Sequence, residues 1–207
     1  MARPRKEDAR DTRRLVLDAA LDLFSTHGYY ATSMRQIARA VGVRESALYH
    51  HFASKDAILA ALLDTLGPGQ ARELLTLDIP AMAKKWGARK LLRTLMHRLL
   101  EAWATPQEHK IAKLMLAEGP RLSVDGVFSP VTRIFQAREM LGHLFTELIR
   151  LKLIRPVDPQ AATIAFIGPL FMLRMIYLVM SPVPQLPKLK KEADAHFTLL
   201  WETLKKT

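Results

Sequence analysis

The sequence predicts an all-α protein: a three-helix helix-turn-helix head followed by a larger helical domain. Three observations carry this. Apolar residues recur at helical spacing along nearly all 207 residues, and no segment sustains the alternation of a strand. Glycine and proline punctuate the pattern at Gly28, Gly42, Gly67-Pro68-Gly69, Thr105-Pro106, Gly119-Pro120, Arg155-Pro156 and the Pro182/Pro184/Pro187 cluster. Hydrophobic residues make up 49% and charged residues 25%, which supplies a core and excludes a wholly disordered or collagen-like chain.

The elements follow in order. Leu15, Val16, Ala19, Ala20, Leu23 and Phe24 form one stripe of a helix from about Thr12 to His27, stopped by Gly28. Ser33 and Gln36 have the spacing of a capping box, opening a short helix that buries Ile37, Ala38 and Val41 and ends at Gly42. A third helix spans about Arg44 to His51, with Leu48 and Phe52 inward. Ser54 caps a fourth, which carries Ile58, Leu59, Leu62, Leu63 and Leu66. Further helices are expected over 70–77, 80–104, 107–117, 124–154, 158–181 and 188–206. The domain division falls between a head, 1–56, and a body, 57–207.

Composition narrows the function. There is no cysteine, which excludes a disulfide framework, thiolate catalysis and Cys-based zinc sites. The net charge of +11 suggests a polyanionic partner. Its distribution weakens the hint, because residues 1–56 hold ten basic and seven acidic side chains, a net +3. The remaining +8 lies in the body, with a run at Lys84, Lys85, Arg89, Lys90, Arg93 and Arg98. The charged amino terminus has no apolar run behind it and does not read as a secretory signal. Residues 161–180 are long and apolar enough to span a bilayer, yet contain Arg174 and Pro169. We read them as a buried or interface helix of a soluble, cytoplasmic protein with no membrane partner.

Two short helices joined at Gly42 behind a longer one make a helix-turn-helix. Such a unit needs a second helix whose outer face is free to enter the major groove of DNA, about 12 Å wide. With Leu48 and Phe52 inward, Glu45, Ser46, Tyr49 and His50 face outward. From Leu17 to Leu63 the sequence resembles the amino-terminal DNA-binding domain of the TetR family of transcriptional regulators. The matching residues are Ala20, Leu23-Phe24, Gly28-Tyr29, Thr32-Ser33-Met34, Ile37-Ala38, Gly42-Val43, Leu48-Tyr49-His50-His51-Phe52 and Ser54-Lys55. The resemblance implies that Ser33 touches phosphate, and that Arg35 reaches phosphate or guanine. It also implies that Arg44, Glu45, Ser46 and Ala47 supply base contacts, that Tyr49 and His50 press on sugar-phosphate or thymine methyls, and that Lys55 binds phosphate. One departure stands out: the family often has Ser where this chain has Arg44, so the cap of the third helix comes from elsewhere or is absent. The basic run Arg3, Arg5, Lys6, Arg10, Arg13 and Arg14 is a candidate for backbone or minor-groove contact, diluted by Glu7, Asp8 and Asp11.

For the body, the resemblance implies dimerisation through the last long helices and a pocket for a small effector, hydrophobic or anionic. Candidate dimer residues are Phe135, Leu141, Leu144, Leu148, Ile164, Ile167 and Phe171, which could equally be buried within one chain. Candidate ligand residues are Met82, Trp86, Met96, Trp103, Met115, Phe128, Met172 and Tyr177, adaptable side chains that also suit plain core, together with Arg174. A buried Arg174 needs a carboxylate partner or an anionic ligand. Glu139, His143 and Glu147 share a helix face that a metal could use, but fall on the polar side of a long helix. No nucleophile elbow, P-loop or dinucleotide glycine pattern occurs, so neither catalysis nor a cofactor or metal is expected. The expected partners are a palindromic double-stranded DNA operator, a second copy of the chain and the effector.

Overall fold

A computed structural model of the chain describes residues 6–65, 78–124 and 129–206. These contain ten α-helices and no strand: α1 (Lys6–His27), α2 (Met34–Val41), α3 (Glu45–His51), α4 (Lys55–Thr65), α5 (Ile79–Trp86), α6 (Ala88–Trp103), α7 (Pro106–Val124), α8 (Pro130–Arg150), α9 (Pro159–Arg174) and α10 (Leu186–Leu204). A π-helical turn, Met175–Val179, continues α9. The expected helix over 70–77 and the break at Gly67 lie outside the described residues.

The caps explain why the short helices stop and start. The backbone N–H of Gln36 donates to Ser33 Oγ at 3.2 Å, and the N–H of Ser33 donates to Gln36 Oε1 at 2.7 Å, so each otherwise orphaned donor is met by the other residue's side-chain oxygen. Gly42, at φ 76°, ends α2 in the left-handed conformation, and the N–H groups of Gly42 and Val43 return to the carbonyls of Arg39 and Ala38. Ser54 Oγ accepts the N–H of Ala57 at 3.1 Å and opens α4.

Two expectations are corrected. The single helix over 80–104 is two, because the chain turns at Gly87, which ends α5 and begins α6. The helix expected to stop before Gly119-Pro120 instead runs through to Val124. Proline removes only its own N–H there, and the carbonyl it frees belongs to Leu116, which is exposed and open to water.

The chain packs as two compact units, 1–67 with 110–130 and 68–109 with 131–207. This packing differs from a division at 56/57. Ile58, Leu59, Leu62 and Leu63 of α4 and Ile111, Leu114 and Leu122 of α7 are buried in one cluster with Val16, Ala20, Phe24, Ile37, Leu48 and Phe52. The first unit is therefore two short helices, α2 and α3, wrapped on α1 and closed by α4 and α7.

In the second unit α9 packs on α10, and α10 on α6. Residues Pro159–Val179 satisfy the length and apolarity of a membrane span, with just under half of the segment buried. Pro169 interrupts its backbone ladder and strips the carbonyl of Ala165 of its helical donor. His196 of α10 supplies the missing partner: its Nε2 lies 2.9 Å from that carbonyl and donates to it. We predict that His196→Ala, which leaves the carbonyl orphaned, lowers stability by about 1–3 kcal/mol in urea unfolding.

Candidate nucleic-acid interface

The first unit presents α3 with one face to the interior and one to solvent. Leu48 is fully buried and Phe52 nearly so, anchoring the helix from behind. Arg13 of α1 adds a second anchor, since its guanidinium lies 4.2 Å from the centre of the Phe52 ring and donates to the His51 carbonyl at 3.2 Å. Arg13, counted above among candidate DNA contacts, is thus engaged within the chain. The side chains of Arg3, Arg5, Lys6 and Arg10 are outside the described residues.

On the outer side Arg44, Glu45, Ser46, Tyr49 and His50 are exposed, Tyr49 by half of its surface, while Ala47 is half-buried. These side chains project from a helix about one major-groove width across, and their mix of cation, carboxylate, hydroxyl and aromatic ring suits base edges and the sugar-phosphate backbone. Arg44 occupies the N-cap in extended backbone, and its side chain caps nothing. Arg35 is exposed on α2. Ser33 is also exposed, but its hydroxyl proton goes to Gln36 Oε1 at 2.8 Å, so a phosphate would have to displace that bond.

Lys55 is where the structure departs most from expectation. Its ammonium donates to the carbonyls of Tyr29 and Thr32, both at 2.7 Å, and lies 4.3 Å from the centre of the Tyr29 ring. Burial lowers its pKa from the usual lysine range, with Asp56 and Glu118 opposing the shift. Two of its three N–H donors are therefore committed to the α1–α2 turn instead of standing ready for phosphate. Around it the Tyr29 hydroxyl donates to Asp56, and burial followed by that contact pushes the phenol far above its ordinary pKa.

Three side chains of α7 complete this junction. Glu118 accepts the Tyr29 N–H at 2.9 Å, Arg121 lies 3.8 Å from the centre of the Tyr30 ring, and Lys110 pairs with Asp22 at 2.5 Å. The sequence reading missed all three. The Gly28-Tyr29 pair is the only local signal: a Cβ at Gly28 would come within 2.3 Å of Glu118 Oε1.

The body candidates do not converge. Met96 and Trp103 are core residues of α6, Met82, Trp86 and Tyr177 are half-buried or more open, and Met172 is exposed. Met115 packs on the core of the first unit, and Phe128 is outside the described residues. Arg174 is 6% exposed and donates to the fully buried Glu108 at 2.9 Å, with its guanidinium 4.9 Å from the centre of the Trp103 ring. The internal carboxylate partner is thus present. A cleft of about 400 Å³ on the second unit is lined by Lys90, Arg93, Thr94, His97, Arg98 and Glu101, none of them a ligand candidate.

The dimer candidates split. Leu141, Leu144 and Leu148 are buried inside the chain, so they cannot meet a partner; their face of α8 turns toward the protein's own core. Phe135, Ile164 and Phe171 are exposed and Ile167 is half-buried. Glu147, one of the three residues weighed for a metal, pairs instead with Arg150 at 2.7 Å.

Comparison with known proteins matches residues 16–62 to the bacterial regulatory proteins of the tetR family. The regulator AcrR of Shigella flexneri is 34% identical over 112 residues, 54% of this chain and 50% of that protein. The regulator UidR of Escherichia coli is 38% identical over 56 residues, 27% of this chain and 29% of its own. The chain spans about half the length of AcrR, and of other curated relatives it matches. Among solved structures, a TetR-family regulator from Mesorhizobium loti superposes with a TM-score of 0.72 at 20% identity, covering 96% of this chain and 98% of that one. NalD of Pseudomonas aeruginosa, the secondary repressor of the MexAB-OprM efflux pump, gives 0.59 at 24% identity over 97% and 99%.

The Lys55 contacts yield a prediction. Lys55→Met lowers the stability of the DNA-free protein by about 1–3 kcal/mol in urea unfolding, because two carbonyls lose a charged donor. Unchanged stability would mean that the ammonium is free for phosphate.

Proposed function

We propose, from the match of residues 16–62 to the tetR family of bacterial regulatory proteins, that the chain is a member of that family and a cytoplasmic, homodimeric transcriptional repressor that leaves its operator when a small molecule binds. The observation that carries this reading is α3 itself, held from behind by Leu48, Phe52 and Arg13 while its polar outer face stays bare. In a dimer, two such helices read palindromic half-sites about 34–36 Å apart, one helical turn or a multiple of it. Arg35 and Tyr49 position the head on the backbone, and Arg44, Glu45 and Ser46 face base edges. Ser33, Ala47, His50 and Lys55 are at most secondary contacts: Ser33 and Lys55 already bond within the head, Ala47 is half-buried, and His50 lies at the far end of α3.

The dimer rests on apolar surface that the single chain leaves bare. Ile164, Phe171, Met172 and Ile176 recur at helical spacing along α9 and its π turn, and each is about half exposed. Such a contiguous stripe marks an interaction surface. Leu199 of α10 and Phe135 of α8 are exposed as well and are candidates for the same interface.

An effector acts by binding one state of the dimer better than another, a coupling commonly worth about 1–3 kcal/mol. NalD and a flavonoid-responsive regulator share the fold, which supports a regulator of this type without naming its effector. The reading calls for neither a cofactor nor catalysis.

Gel shift with DNA from upstream of the chain's own gene, across a salt series, tests it. A sequence-selective complex that weakens steeply with salt is expected. Failure to form any selective complex at low salt sinks the reading. Arg35→Ala should lower the salt slope by about one unit without changing which sequence is preferred. Sedimentation checks the dimer: the wild type should run as a dimer, and Phe171→Asp as a monomer with unchanged circular dichroism.

A further inference from the structure

Arg44 and Glu45 open α3 side by side; Glu45 suits the positive end of the helix, but Arg44 departs from what an N-cap position favours. A Ser or Asp at position 44 would cap the helix, a contribution of about 1 kcal/mol in exposed helices. Arg44 forgoes it: its backbone is extended, its carbonyl accepts the N–H groups of Ala47 and Leu48, and its guanidinium makes no cap bond. Glu45 is exposed next to it. Among the described residues no ion pair or side-chain hydrogen bond engages either group, not even one between the two. A local stability rule is therefore set aside at the surface that faces outward, the kind of violation that marks a functional position.

The chemistry of the pair restricts what it can face. Guanidinium presents a flat fork of donors that matches the O6 and N7 acceptors of guanine. A carboxylate only accepts, is repelled by phosphate, and finds in the major groove only the amino groups of cytosine or adenine. Adenine displays an acceptor, N7, directly beside its amino group, which a carboxylate meets with repulsion. Cytosine N4 has no such neighbour on its own base. Resting on the DNA-binding reading above, we propose that Arg44 and Glu45 form a base-reading pair specifying guanine and cytosine, on one G·C pair or on two adjacent ones, in each half-site. Arg44 bonds guanine, and Glu45 accepts from cytosine N4. The carboxylate acts by selection: it makes every other base under it unfavourable, at a cost in overall affinity.

In-vitro selection from a random DNA pool tests this with the full-length wild type, Arg44→Ala, Glu45→Ala and Glu45→Gln. Both positions are solvent-facing, and circular dichroism checks that each variant keeps the fold. The wild type should select half-sites with an invariant G·C column, or two adjacent ones. Arg44→Ala should flatten the guanine preference by about tenfold. Glu45→Gln should shift its column from cytosine toward adenine, because a carboxamide bonds adenine N6 and N7 together. Glu45→Ala should raise affinity for mismatched sites relative to the selected one. Wild-type selection with unchanged base preferences in the variants overturns the pair while leaving DNA binding intact. A uniform gain for all sequences in Glu45→Gln does the same, since the carboxylate would then only repel phosphate. Failure of the wild type to select any sequence overturns both readings.

Discussion

The first unit depends on the ammonium of Lys55. It is taken partly out of water at the turn between α1 and α2, where it bonds the carbonyls of Tyr29 and Thr32 and lies against the Tyr29 ring. Those carbonyls follow the end of α1 and precede the start of α2, so one side chain at the head of α4 ties three helices together. Thr32 reinforces the turn by donating to the Gly28 carbonyl at 2.8 Å, and Glu118 takes the Tyr29 N–H from the other side. A buried cation is tolerable only when its donors are met, and here the turn's own unpaired carbonyls meet them. That closure fixes the turn from which α2 starts.

Local chemistry was legible in the sequence. The Ser33/Gln36 box, the stop at Gly42 and the cap at Ser54 each involve partners at most a few residues apart, so spacing alone encodes them. The inward set Ile37, Leu48 and Phe52 followed from helical periodicity for the same reason. The remainder was not legible because its partners are far apart in the chain. Glu118 reaches Tyr29 across 89 positions, Arg13 reaches His51 across 38, and His196 reaches Ala165 across 31. Nothing in the immediate neighbourhood of these residues distinguishes them from exposed polar side chains on helices.

Apolar runs failed in a different way. Phe135, Leu141, Leu144 and Leu148 all lie on α8, and composition treats them alike. Burial separates them: the three leucines fill the chain's own core, while Phe135 stays outside. Periodicity identifies an apolar face but not whether that face meets its own chain or another. Proline was over-read as punctuation at Pro120, whereas the helix expected over 158–181 already runs through Pro169. Pro120 and Pro169 both sit inside helices, one where water can reach the freed carbonyl and the other where a histidine replaces the lost donor.

The way α3 is mounted has a consequence for how such a protein diversifies. Everything that fixes the helix, Leu48, Phe52 and the brace from Arg13, lies behind it, and the side chains on its front contribute nothing to that mounting. Under the proposed DNA-binding reading, folding and addressing are therefore carried by separate residue sets, and substitutions at 44, 45, 46 and 49 would alter the sequence read with little loss of stability. The same fold recurs at about 20% identity in the Mesorhizobium loti structure, so the mounting behind such a helix tolerates wide change in sequence.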